Sequence, residues 1–421
     1  MSLRTLTAGS IGNILEWLDF GLFIYLAPIL GQHFFPSHNP QTASIEVLAV
    51  FAIGFICRPL GSIFFGFLGD RYGRVLSLRI AILMITLTIV LFGLLPTYQT
   101  WGITATVLFT LLRLLQGLSV GGEYSTAMIY LAESAPTNRR GYFTSFAAVG
   151  ANIGFLLASL CALLLHICCT KANLDAWAWR IPFLSIGVLG VLIFIFRLRL
   201  LETPVYNTLA ATNNLAPWPL FTAMRQAPKQ LVQIFGLSCM GGVFYYVFFG
   251  AMPNYLSKSA GFSVSTGFAI QIIFLGLMLF LVPIAGALGD HFGRRKLLST
   301  TALGIIFCAY PCFYLLQLHS IFLLVIAFSI ATLLSSLEQG NTLITVVESC
   351  PAPVRASGVS FAYNVGMALF GGTAPLCVTL LATKISVQAP AYYLMAAAAV
   401  TLLAVWTLPE TYRISLLKIE P

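Results

Sequence analysis

Charge is what this sequence has least of. Asp, Glu, Lys and Arg together make up 8% of the 421 residues, against about 25% in a soluble globular chain. So few charges cannot cover a water-facing surface unless most of that surface meets lipid. A soluble enzyme, a disordered chain and a secreted disulfide scaffold are thereby excluded. The chain reads as an integral membrane protein whose first partner is the lipid bilayer. Acid is scarcer than base, 13 residues against 22, for a formal charge of +9. The basic residues stand in short clusters between apolar runs of about twenty residues. That is the pattern of membrane topology rather than of a nucleic-acid groove, so nucleic acid is not an expected partner. The nine cysteines lie mostly inside apolar runs, and none has zinc-ligand spacing, so they read as small core side chains. HExxH, Walker and CxxC signatures are also missing. No enzymatic activity, metal or organic cofactor is expected. Met1 to Ser10 holds one charge, Arg4, and no cleavable signal peptide is expected ahead of a first run long enough to span.

What is present is apolar helix. The runs predict an all-α membrane protein with twelve transmembrane helices near 9–31, 44–68, 75–95, 102–132, 141–167, 181–200, 230–256, 264–288, 297–317, 320–346, 356–383 and 389–408. Sixteen Lys and Arg fall in one set of loops and tails and four in the other. This excess places both termini and the longest loop in the cytoplasm. The chain also repeats: GDRYGR at 69–74 returns as GDHFGR at 289–294, ESAPTNRR at 133–140 as ESCPAPVR at 348–355, and Glu202 near Glu410. Residues 1–200 and 230–421 therefore read as two pseudo-symmetric six-helix halves joined by a linker, 201–229. Substrate at the interface of such halves is a transporter architecture, and a channel needs no such repeat.

These residues carry a resemblance. GFLGDRYGR from Gly66 resembles the signature loop between helices 2 and 3 of the major facilitator superfamily, and RLLQG at 113–117 looks like its helix-4 motif. GNILEWLDFGLFIYLAP at 12–28, RPLGSIFFG at 58–66, RLLQGLSVGGEY at 113–124, WAWRIPF at 177–183 and APAYYLM at 389–395 are similar to its metabolite:proton symporter branch, most to the bacterial proline/glycine-betaine transporters. The resemblance covers nearly the whole chain. It implies the major facilitator fold, alternating access, a small-molecule substrate, protons as the coupling ion and a place in the bacterial inner membrane, with the protein working as a monomer. The branch also holds dicarboxylate, citrate and shikimate carriers. Its osmosensing members carry a long C-terminal coiled coil, which does not follow Glu410 here; that departure puts osmotic regulation in doubt, though not transport itself.

An ionisable side chain at mid-bilayer is expensive, so each one is a functional candidate. Glu16 and Asp19 on helix 1 share a face with Asn13. They lie roughly 12 and 16 Å from the cytoplasmic entry, with Arg58 on helix 2 and Arg113 on helix 4 at a similar depth. One acid is expected to carry the proton, with a guanidinium as its counter-charge, because Arg stays charged while a buried carboxylate titrates. A structural ion-pair lattice is the bland alternative. Gln116 and Tyr124 on helix 4, Asn152 on helix 5, Tyr245 and Tyr246 on helix 7 and Asn364 on helix 11 are further pocket candidates, since aromatic faces attract quaternary cations.

The loop motifs read as a cytoplasmic gate. Asp70, Arg71 and Arg74, and their repeats Asp290, Arg294 and Arg295, are expected to pair across the seam in one conformation only. Glu133 with Arg140, and Glu348 with Arg355, form an expected second layer. Glu338 is the repeat mate of Glu123. The resemblance implies that Glu123 braces Arg74 or Arg71, and Glu338 correspondingly Arg294 or Arg295. The helical stripe Ser335, Glu338, Gln339, Thr342 leaves a hydrated cavity lining open for Glu338. The four midplane charges sum to zero beside an aromatic half, so a zwitterion of amino-acid, proline or betaine type is the expected cargo. A dicarboxylate is the alternative. A proton-coupled exporter is disfavoured because helix 5, AAVGANIGFLLAS at 147–159, lacks the proline such exporters show.

Overall fold

Eleven helices among the described residues are long and apolar enough to cross a membrane, and a bent pair supplies a twelfth crossing. A computed structural model describes residues 3–35 and 40–419, with helices and no strands among them. In chain order the crossings are α1 (Thr5–Tyr25 with Ala27–Phe34), α2 (Thr42–Arg71), α3 (Arg74–Leu94), α4 (Ile103–Ser134), α5 (Thr137–Cys168) and α6 (Leu174–Arg197). The second six are α7 (Pro228–Ser257), α8 (Val264–Phe292), α9 (Arg294–Leu316), α10 (Ile321–Glu348), α11 (Ala352–Lys384) and α12 (Pro390–Thr407). They match the predicted runs to within a few residues.

The irregularities have causes in the sequence. Pro28 lacks the N–H that would continue α1, and the chain bends by 71° at Leu26. Pro59 breaks the ladder of α2 in the same way at Cys57. Two π-helical stretches, Tyr246–Ala251 in α7 and Met367–Gly371 in α11, rotate the following side chains relative to an α-helix, a distortion frequent at functional sites. The linker, which reads as loop in the sequence, contains two short helices, Pro204–Ala211 and Pro219–Gln226. Each begins at a proline, which suits the first turn of a helix.

In each half a tight turn joins the second and third crossings. Gly73 and Gly293 sit there at φ 103° and 90°, a region that L side chains avoid. The orphan N–H groups that open α3 and α9 are capped from afar: Glu202 accepts from the Val75 N–H (3.0 Å), and Glu410 from those of Arg294 (2.8 Å) and Arg295 (3.2 Å). The repeat seen in sequence is thus a repeat of capping chemistry. The halves meet where α2 packs on α11 and α5 on α8. Gly141 and Gly286 face each other across that second contact so closely that a Cβ on either would strike the other's carbonyl. Residues 119–133 of α4 and 338–348 of α10 are buried all round. Both lie on the seam, whereas Val188, Phe280 and Phe307 keep more than half their surface exposed on the outer face, where lipid would lie.

Candidate functional site: a charged, aromatic chamber and its latch

The four expected midplane charges form two buried acid–arginine pairs inside the first half. Arg113 Nη1 stands 2.8 Å from Asp19 Oδ2, which also accepts from the Gln116 amide. Arg58 Nη2 stands 3.7 Å from Glu16 Oε1, a looser pair. The Arg58 Nε–H donates instead to Asn364 Oδ1 on α11, 2.9 Å away in the other half. Both guanidinium groups rest on rings, Arg113 3.6 Å over Phe23 and Arg58 4.7 Å over Phe55. Neither oxygen of Glu16 and neither terminal nitrogen of Arg58 has a hydrogen-bond partner among the described residues. Asp19 and Arg113 form a satisfied lock, while Glu16 and Arg58 keep bonding capacity in hand.

Beside Glu16 the seam is aromatic. Trp17 stacks on Tyr246 (centroids 5.8 Å, 16° between planes) and meets Tyr245 and Tyr124 at 5.2 Å and Phe155 at 5.7 Å. Tyr363 lies 6.0 Å from Tyr124 and within electrostatic reach of Glu338, Arg58 and Glu16. Asn152 donates to Gln339 Oε1 across the seam at 3.1 Å. Of the expected pocket residues, Glu16, Arg58, Tyr124, Asn152, Tyr245, Tyr246 and Asn364 therefore gather in one buried cluster on the seam, called the chamber below. Asp19, Arg113 and Gln116 stand behind it. Asn13 ties α1 to α5 by donating to the Ala147 carbonyl (3.1 Å). Trp17 and Tyr363 were missed, although each is the sequence neighbour of a residue that was named.

Above the chamber, Tyr25 donates to the Phe249 carbonyl (2.6 Å), and Gln271 donates to both. Beyond this closure a cavity of about 400 Å³ opens at the end away from the signature loops, lined among others by Ile24, Thr42, Asn254, Tyr255, Thr379 and Lys384.

At the opposite end the signature loops form a latch. Asp70 accepts from the N–H groups of Ala356 (3.0 Å) and Ser357 (2.8 Å) in the second half. Asp290 accepts from those of Gly141 and Tyr142 in the first, both at 2.9 Å. Each aspartate thus caps a helix of the other half. Arg74 pairs with Glu133 (3.1 Å) and Asp70 (3.4 Å), and Arg294 with Asp290 (2.7 Å) and Glu348 (3.2 Å).

Four expectations about the latch need correction. Glu133 and Glu348 do not pair with the arginine of their own motif. Glu133 meets Arg355 at 3.1 Å and Glu348 meets Arg140 at 3.9 Å, so both pairs cross the seam. The cause is the capping: Arg140 and Arg355 open helices that are docked on the opposite half. Glu123 does not brace a signature arginine. Arg74 is already held by two acids, and Glu123 lies ten residues further along α4, roughly 15 Å away. Its partner is Arg197 at the end of α6 (2.5 and 2.7 Å), a buried guanidinium that also donates to the carbonyls of Leu78 and Ala8. Arg197 is one of the sixteen basic residues that the sequence assigns to the cytoplasmic loops and tails. Glu338 does not brace Arg294 or Arg295: Arg294 is held by Asp290 and Glu348, and Glu338 makes no ion pair among the described residues and lies near Tyr124 and Tyr363. Arg71 and Arg295 are exposed and make no latch ion pair among the described residues; Arg71 accepts from Tyr206 through its carbonyl, and Arg295 donates to the Trp406 carbonyl.

Comparison with known proteins agrees with this geometry. The family model described as Major Facilitator Superfamily matches residues 9–375 and 272–419. The chain is 34% identical to the proline/betaine transporter of Escherichia coli K12 over 97% of its own length and 83% of the relative's. It is 33% identical, with the same coverage, to the glycine betaine/proline/ectoine/pipecolic acid transporter OusA of Dickeya dadantii. A solved structure of the proton:xylose symporter XylE superimposes with a TM-score of 0.80 at 18% identity, covering 99% of this chain and 98% of that one, which speaks to fold alone. Twelve crossings in two halves, a chamber on their seam and a repeated loop latch go with these matches: the chain belongs to the major facilitator superfamily and is a multi-pass membrane transporter.

Proposed function

We propose that this transporter is a proton-coupled symporter that imports a small zwitterion of amino-acid, proline or betaine type by alternating access, working as a monomer in the bacterial inner membrane. The Lys and Arg excess supports a cytoplasmic latch end with both termini, and on that orientation the cavity faces outward. The carrying observation is the loose Arg58–Glu16 pair with its unpartnered atoms. A substrate carboxylate arriving from the cavity offers Arg58 a bidentate partner and displaces Glu16 from it. A carboxylate losing its counter-charge in an apolar chamber takes up a proton. Substrate and proton thus bind together. Arg58 also holds Asn364 across the seam, so the same exchange loosens a contact between the halves. Chamber charge supports a cation-bearing cargo over a dicarboxylate, with two acids, Glu16 and Glu338, beside the one guanidinium of Arg58. The relatives named as proline and betaine transporters point the same way.

The test is uptake of labelled proline or glycine betaine into proteoliposomes under an imposed inward proton gradient. Accumulation is expected for the wild-type protein. Glu16→Gln should keep exchange of internal for external substrate and lose gradient-driven accumulation. Full accumulation by that variant, or none by the wild type, would count against the reading.

A further inference from the structure

The repeat is broken at one place that matters. In the first half, Gly12 on α1 lets the Glu123 carboxylate lie against the helix backbone, and Arg197 from α6 neutralises it. In the second half, Gly241 on α7 admits the Glu338 carboxylate in the same way. No guanidinium comes to meet it. The register that relates Glu202 to Glu410 and Thr203 to Thr411 carries Arg197 onto Val405, a fully buried valine. Glu338 is 4% exposed, receives a polar interaction from the Thr342 hydroxyl and has no ion pair among the described residues. Uncompensated carboxylates at such depth are costly and persist where they serve a ligand.

Its surroundings say which ligand. Tyr124 and Tyr363 lie within electrostatic reach of Glu338, and the ring of Tyr124 leads on through Trp17 to Tyr245, whose hydroxyl has no partner among the described residues. A carboxylate among π-faces is the chemistry that holds an onium group, including one with no N–H to donate. Arg58 offers its free nitrogens on the other side of the same chamber.

We propose that Glu338, with Tyr124 and Tyr363 beside it and Trp17 and Tyr245 continuing the line of rings, is the subsite for the cationic group of the substrate and sets the preference for zwitterions over anions. This rests on the zwitterion reading given above and extends it to a named residue, which takes the place left by the missing arginine.

The experiment compares binding of glycine betaine with binding of dimethylbutanoate, the isostere whose tert-butyl group replaces trimethylammonium. Purified full-length protein is titrated calorimetrically with each compound. Wild-type protein is expected to prefer betaine by tenfold or more. Glu338→Gln should bring the two affinities to within about twofold, and Glu338→Asp, which keeps the charge, should restore most of the preference. A merely structural role would change both affinities together and leave their ratio intact. A ratio unchanged in Glu338→Gln overturns the subsite while leaving the zwitterion reading standing. Failure of the wild type to bind betaine overturns both.

Discussion

Arg197 and Glu123 show how one side chain's meaning depends on what it meets. The pair is buried, bidentate and further tied to two backbone carbonyls, so removing one partner strands a charge in an apolar interior. Replacing Arg197 by Met should cost roughly 3–5 kcal/mol, read as a clear fall in the melting temperature of the purified protein. Removing both charges, in Arg197→Met with Glu123→Leu, should recover most of the loss. A single variant that melts with the wild type would mean that the pair does not hold the fold. The sequence hid Arg197 because it ends an apolar run in the pattern RLR at 197–199, which reads as a loop anchor. Glu16, Asp19, Arg58 and Arg113 were legible because each stands inside an apolar run. Their pairing as Glu16 with Arg58 and Asp19 with Arg113 was not legible, since it depends on how α1, α2 and α4 turn towards one another.

Among the elements, the signature turns are the ones whose chemistry is shared between halves. Asp70 and Asp290 each accept two N–H groups from a helix of the other half. A charged acceptor's hydrogen bond is worth about 1.5–3 kcal/mol, so Asp70→Asn should move the equilibrium towards a state open at the latch by about tenfold or more. Spin labels at Tyr72→Cys and Phe292→Cys, exposed positions on the two loops, report it as a longer distance population. An unchanged distance distribution would show that the caps are not part of the latch. The motifs and their repeat were plain in the sequence, and so was their place at one end. Which acid meets which base was not, because Arg140 and Arg355 open helices docked on the opposite half and so carry their side chains across the seam. The bend at Pro28 and the broken ladder at Pro59 were equally hidden: a hydrophobic run gives length, and geometry enters only where a missing N–H meets a neighbour.

At the scale of the molecule, the crosswise pairs Glu133–Arg355 and Glu348–Arg140 are closed over by the chain's own tail. Arg140, from the first half, donates to the Ile414 carbonyl at 2.5 Å, and Arg355, from the second, to that of Leu416 at 2.7 Å. Thr411 meanwhile donates to Glu348, as Thr203 does to Glu133. The tail therefore bridges the two arginines that must part when the latch opens, and it carries no charge of its own at those contacts. Leu416 anchors it, at 2% exposure, whereas Leu417 beside it is 47% exposed. A carboxylate at position 416 would have to leave that buried place and take the carbonyl acceptors with it; one at 417 already faces outward. Leu416→Asp is therefore expected to enlarge the latch-open population several-fold with the same pair of spin labels, and Leu417→Asp to leave it as in the parent protein. Equal distributions in all three proteins would mean that the tail merely lies on the latch. A shift in Leu416→Asp alone would make the last turn of chain a working part of the gate, since the two halves would then be held by a segment belonging to only one of them.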